Sequence, residues 1–182
     1  MLYKKEYKLI KKLFDEDQND RISRKILKYS DKKRWKIISS RDKKRLEIIK
    51  AIVKKTPLEG IDYFRAGIIA QHSSAPEGIR FAQFLAKESI KKRYEKAKWL
   101  YAAATDRLLI MKKKPQKYGT QYGKFRGKWK LFPTNKKTTD KERAKYNVVT
   151  LKQAREIAEK WNKEGIGPWE QKRKTTGITS RK

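Results

Sequence analysis

Few side chains in this sequence combine the chemistry and the setting that a reaction or a specific ligand needs. The densest group is Lys114-Pro115-Gln116-Lys117-Tyr118-Gly119-Thr120-Gln121-Tyr122, where amides, phenols and a hydroxyl follow a rigid proline and flank a flexible glycine. Such groups offer donors and acceptors in fixed directions, as a polar ligand requires, although loops also use them to satisfy their own backbone. His72 is the single histidine and follows Gln71 at the end of a helical stretch. A helix C-terminus favours the imidazolium, which suits a general acid or a phosphate contact; a lone histidine also serves as a hydrogen-bonded structural residue. Asp106 precedes Arg107 inside a largely apolar segment. A carboxylate there is either paired for stability, with Arg107 or Arg65, or it acts as a base or orients His72. His72, Asp106 and Tyr118 are thus the candidate catalytic groups, and Asp17, Gln18 and Arg21 form an acidic turn able to join them.

Other chemistries are missing. There is no Gly-rich phosphate loop ending in GK[ST], no Cys or His cluster and no Gly-x-Ser-x-Gly turn. One histidine and no cysteine do not build a conventional metal site, so neither metal nor cofactor is expected.

Taken in order, these strings resemble a mainly helical bacterial domain family of unknown function, numbered 6624. Its acidic-Asp-Gln turn followed by Arg is matched by Glu16-Asp17-Gln18 and Arg21, its Gln-His pair by Gln71-His72, and its Thr-Asp-Arg by Thr105-Asp106-Arg107. Its most specific string, Lys/Arg-Pro-Gln-x-Tyr-Gly-Thr-Gln, is matched by Lys114 to Gln121, and later Trp129, Pro133, Asp140 and Arg143 follow the pattern. The resemblance spans about Asp15 to Asn162. It implies that the polar residues converge on one pocket, with Asp17, Gln18, Arg21, Gln71, Arg107, Gln116, Thr120 and Gln121 as its ligand-binding set. It brings no known reaction. The chain departs from the family in its Lys-rich insert around Lys32 to Lys36 and in its basic C-terminal tail.

The elements that must position these residues read as mainly α. An amphipathic helix is expected over about Leu2 to Phe14, followed by the acidic turn, and a second from Arg41 to Lys54 with Leu46, Ile49, Ile52 and Val53 on one face. Pro57 and Gly60 break it. Helices follow at Asp62 to Gln71, from Pro76 to about Lys91 with Ser74 and Glu77 as a capping box, and at Ala97 to Met111, stopped by Pro115. Tyr122 to Pro133 reads as a small hairpin or extended excursion around Gly127. Thr138 or Thr139 caps a short helix, and a last helix spans Leu151 to Asn162. The organisation expected is a basic helical segment over residues 1–45, a helical core over 46–164 with a loop and hairpin at 112–133, and a basic tail over 165–182.

Charge then decides the partner. Against 20 acidic residues stand 51 lysines and arginines, a net +31 on 182 residues. Self-repulsion on that scale calls for a polyanion, and nucleic acid fits because each phosphate neutralised releases condensed cations. No apolar stretch approaches the roughly 20 residues of a membrane span, and no secretory leader opens the chain, so a cytoplasmic address is expected. Aromatics interleave with the cations at Trp35, Tyr118, Tyr122, Phe125, Trp129 and Trp169, which favours RNA over DNA through stacking on unpaired bases. The expected contacts are Lys32, Lys33, Arg34 and Trp35; Lys112, Lys113 and Lys114; Lys124, Arg126 and Lys128; and Lys172, Arg173 and Lys174. Two alternatives stand beside RNA binding: a metal-independent enzyme acting on a nucleotide or nucleic acid, and a component of a ribonucleoprotein with other proteins as partners.

Overall fold

The structure is a computed structural model describing residues 3–23, 26, 28–168 and 170. It is 66% helical, the mainly α architecture expected. In chain order it runs α1 (Lys4–Ile22), α2 (Asp31–Lys55), α3 (Gly60–Ala70), α4 (Pro76–Lys91), α5 (Ala97–Met111), β1 (Tyr122–Phe125), β2 (Lys128–Leu131), α6 (Asp140–Lys145) and α7 (Leu151–Lys163). None of the described helices is long and apolar enough to cross a membrane.

The short, apolar α3 is the hub, touching α1, α2, α4 and α5. Around it Ile10 and Leu13 of α1, Ile49 and Ile52 of α2, Ile69 of α3, and Ile79 and Leu85 of α4 form one buried cluster. The basic N-terminal segment is therefore part of the core. No break falls at residue 45: α2 runs unbroken through it, begun by Ser30, whose hydroxyl accepts from the Lys33 amide at 3.5 Å.

Two expectations about α1 and α4 change. The acidic stretch after Phe14 is the end of α1 and not a turn, and Asp17, Asp20 and Arg21 point inward. The stripe is helical throughout; charges occupy its last core positions. At α4 the cap is Ala75, without a side-chain bond, and Pro76 stands first in the helix. Ser73, not Ser74, organises the approach, its hydroxyl accepting from the Ala75 amide at 3.1 Å, while Glu77 pairs with Arg80 at 2.6 Å.

The excursion after α5 is an antiparallel hairpin with Tyr122 opposite Leu131 and Phe125 opposite Lys128. Arg126 and Gly127 both have positive φ, 47° and 80°, the tight turn that matches strand twist and wants glycine. α7 closes against β2, opened by a capping box between Thr150 and Gln153.

Candidate functional site

The last turns of α1 meet α2 through charge. Arg21 lies 2.9 Å from an Asp17 carboxylate oxygen and donates to Asp42 at 2.8 Å. Arg45 reaches Asp42 at 3.2 Å and also grips Asp20, which Arg41 pairs from the outside. Asp17, Asp20, Arg21, Asp42 and Arg45 are all buried, so each charge is compensated by a partner of opposite sign, as burial demands. Asp20, Asp42, Arg41 and Arg45 are absent from the site expected from sequence, yet they complete it.

His72 enters this network from the end of α3. Its Nδ1 lies 3.0 Å from Asp17 Oδ1, and the Gln18 amide donates to the other Asp17 oxygen at 2.6 Å. Burial would raise the Asp17 pKa, but the bond to His72, with Arg21 and Gln18, outweighs it and holds the carboxyl below its usual range. An ionised carboxylate only accepts, so Nδ1 carries the proton and donates to Asp17. Burial lowers the His72 pKa against the opposing pull of Asp17, so the ring is neutral at neutral pH. The expectation of an imidazolium at a helix end gives way to that desolvation: the His72 side chain is only 11% exposed. Asp42 shifts the other way, raised by burial. Arg107 donates to the Gln71 carbonyl oxygen beside His72, and burial lowers its pKa.

His72 also lines an open cleft of about 800 Å3 between α2 and the turn that leads into α4. Lys36, Lys43 and Lys50 recur along one wall, with Ser39 and Ser40 between them and Ser73 and Ser74 opposite. Seven residues of helix separate successive lysines by about 10 Å. Lys50 is paired with Glu47 at 2.9 Å, Glu77 with Arg80, and Asp42 with two arginines. Among the described residues no ion pair compensates Lys36 or Lys43, which leaves the charge of this wall to them. Gly78 makes the far wall possible, because a Cβ there would stand 2.2 Å from the Ser73 Cβ.

The remaining candidates lie elsewhere. Asp106 does not orient His72 and pairs with neither Arg107 nor Arg65. Its carboxylate takes five donors: the backbone amides of Lys117 at 2.7 Å, Tyr118 at 2.8 Å, Gly119 and Thr120 at 2.9 Å, and the Thr120 hydroxyl at 2.8 Å. Successive amides turned onto one anion make a nest, here filled by the protein's own side chain. Gln116, fully buried, accepts from the Gln121 amide at 2.9 Å and donates to the carbonyls of Gln121 at 3.1 Å and Phe132 at 2.9 Å. Gln121 donates to Thr120 Oγ1 at 3.0 Å and lies 3.4 Å from the Ala103 carbonyl. Arg143 holds the Tyr118 carbonyl at 3.0 Å. Tyr118 is buried among Ala102, Val148 and Tyr146; burial, with Tyr146 beside it, pushes its phenol pKa far up. Asp106 and Tyr118 are therefore removed from the catalytic set, and the loop's amides hold the loop. The single pocket resolves into two groups: Asp17, Gln18 and Arg21 form a buried network that reaches the cleft through His72, with the Gln71–Arg107 bond beside it, whereas Asp106, Gln116, Tyr118, Thr120 and Gln121 build a loop anchor.

The expected nucleic-acid contacts are exposed at Lys32, Lys33 and Trp35, at Lys112 to Lys114, and at Lys124, Arg126 and Lys128. Arg34 is half-buried and pairs with Asp31 at 2.5 Å, and Lys33 sits 4.5 Å from the Tyr29 ring. Trp35 is 53% exposed and Phe125 44%, while Tyr118 is closed to any stacking partner at 2%. Lys172, Arg173, Lys174 and Trp169 lie outside the described residues. Among the described residues no three His, Asp or Glu side chains are arranged to hold a metal ion. Comparison with protein-family models, with characterised proteins and with solved structures found no match.

Proposed function

We propose that the protein binds nucleic acid, RNA in preference to DNA, and that the cleft beside His72 is where the phosphate backbone lies. The observation that carries this reading is the wall of Lys36, Lys43 and Lys50 on a cleft whose acidic residues are already paired. Asp17, Asp20 and Asp42 face inward onto arginines, so acidic charge is withdrawn from the surface and the lysines are left outside. Phosphates approaching that wall displace condensed counter-ions, a gain that salt weakens. Exposed Trp35 on the same helix offers a stacking face to an unpaired base. Of the residues behind the resemblance to family 6624, His72 lines this cleft and Asp17, Gln18 and Arg21 stand behind it in the buried network; kinship with that family is part of the same proposal. Titrating labelled single-stranded RNA and DNA at several salt concentrations tests the reading. Binding that steepens at low salt and favours RNA is expected; no binding at low salt, or no salt slope, refutes it.

A second reading is favoured by the Asp17–His72 bond, since a carboxylate that fixes an imidazole tautomer is how acid–base enzymes ready a histidine. In it the bound nucleic acid or nucleotide is a substrate and His72 moves a proton without a metal. Incubation of RNA and nucleotides with the protein in the presence of a chelator distinguishes the two: turnover lost in His72→Gln supports the enzyme, and intact ligand supports binding alone.

A further inference from the structure

A second groove, apart from the His72 cleft, runs between β2 and α7 with a volume of about 590 Å3 and is open to solvent. We propose that it takes an unpaired base of a single-stranded RNA, with the flanking phosphates on the lysines and arginine of its rim; this rests on the nucleic-acid reading above. The groove is lined by Trp129, Leu131, Phe132 and Pro133 from the hairpin side and by Ala158 from α7. Its rim carries Lys130, Lys136 and Arg155 against the single acid Glu159. Apolar, aromatic walls under a cationic rim complement a ring that carries phosphates at its edges. The size falls within the range of roughly 300–1,000 Å3 common for small-ligand sites.

The aromatic wall is held before any ligand arrives. Asn162 accepts from the Trp129 amide at 2.7 Å and donates to the Trp129 carbonyl at 2.9 Å, so one side chain of α7 pairs with that residue as a neighbouring strand would. Trp161 meets the Trp129 ring edge-on at 5.8 Å, and Tyr122 meets Trp161 in turn at 4.9 Å. A wall fixed from behind loses little freedom on binding, which favours a site over incidental apolar surface. Phe132 is braced in the same way by Phe125, edge-on at 5.4 Å. A base in a duplex is already stacked on its neighbours, so the proposal is for unpaired RNA.

The test compares a short single-stranded RNA with an oligomer of equal phosphate count whose bases are absent. Wild type is expected to prefer the base-bearing strand by roughly 5- to 150-fold, the worth of one stacked base. Trp129→Leu is expected to remove that preference and leave the salt-dependent affinity for both strands. Because Trp129→Leu disturbs the hairpin packing, Lys130→Glu with Arg155→Glu, both solvent-facing, provides a second variant and is expected to reduce the preference with an unchanged melting temperature. Lys36→Glu with Lys43→Glu, at the other cleft, is expected to weaken both strands and keep their ratio. Equal binding of the two strands by wild type, a preference retained in both groove variants, or equally strong competition by an acidic peptide would overturn the groove proposal. Failure of wild type to bind either strand at low salt would overturn the nucleic-acid reading itself.

Discussion

Asp17 and Asp106 are both aspartates of zero exposure projecting from helices, yet one is held by side chains and the other by backbone. Asp106 is enclosed by amides of residues 117–120, groups that cannot move without unfolding the loop. Asp17 is met by His72, Arg21 and Gln18, side chains that connect it to a solvent cleft through His72. Burial is the same in the two places, and so is the type of residue. The difference lies in whether the partner is the backbone of a closed loop or a side chain at the wall of a cleft. Amides used on Asp106 are closed to phosphate; the imidazole that holds Asp17 through Nδ1 lines the cleft.

Removing each carboxylate should therefore break different things. Asp106→Ala leaves five buried or half-buried donors facing a cavity, and an uncompensated site of this kind costs roughly 3–5 kcal/mol. Denaturant unfolding is expected to show that loss, with RNA affinity of the molecules that remain folded unchanged. Asp17→Asn keeps a hydrogen-bond acceptor for His72 and leaves Arg21 its second partner, Asp42, at 2.8 Å. A cost of about 1–3 kcal/mol is expected, smaller than for Asp106. The sharper readout is the histidine. Asp17 raises the His72 pKa against burial, so its loss should drive the His72 titration to still lower pH, which NMR of the single histidine reports directly. Equal stability losses with an unmoved His72 titration would erase the distinction between the two sites.

The acid side of the stability curve separates them again. The folded chain takes up the His72 proton less readily than the unfolded chain, because burial holds the ring's pKa below its ordinary 6.5. Between that value and the lower folded one the unfolded state binds more protons, so stability is full above about 6.5 and falls as pH drops through this window. Asp17 adds a second loss at lower pH, its contribution being present above about 3.9 and lost as pH falls through its depressed folded value. His72→Gln should flatten the first window and also shrink the second, because the bond to His72 is the main cause that holds the Asp17 carboxyl low against burial. Unfolding free energies at pH steps from 7 to 3 provide the measurement, and a slope near pH 6 unchanged in His72→Gln would place the proton uptake elsewhere.

How much of this is legible in the sequence depends on what occupies the helical stripe. Ala97–Met111 is readable end to end because small and apolar residues fill it and Pro115 closes it. α1 and α2 read too short where charges replace apolar residues on the buried face: Ile10, Leu13, Asp17 and Asp20 continue one stripe, as do Ile38, Asp42, Arg45, Ile49 and Ile52. Spacing of three and four persists through those charges, and that persistence is the available signal. Acidic residues and arginines on both stripes, Asp17, Asp20 and Arg21 on one and Asp42 and Arg45 on the other, point to two helices buried against each other. Periodicity does not show which carboxylate meets His72, since Asp17 lies 55 positions away; the resemblance alone groups the two in one pocket, without making Asp17 the partner. The loop string is legible as a loop that satisfies its own backbone, but its anchor on Asp106 is not, because the amides that enclose that carboxylate belong to the backbone and leave no residue type to read.

The smallest change in stability should come with a large change in binding. Lys36 and Lys43 are exposed, make no ion pair among the described residues, and touch none of the buried network. Replacing both by Gln removes charge without shortening the side chain's apolar stem greatly, and surface changes of this kind lie within about 0.5 kcal/mol of neutral. If phosphates lie along this wall, the slope of log affinity against log salt for single-stranded RNA should become shallower by roughly 1.4, about 0.7 for each phosphate no longer neutralised. The same substitutions made at Lys112 and Lys114, beside the Asp106 loop, should change that slope less, since no cleft concentrates their charge. Equal slopes for the two pairs would mean that the protein's charge acts as a diffuse field, and that the carboxylate at the cleft positions its histidine for something other than a bound phosphate chain.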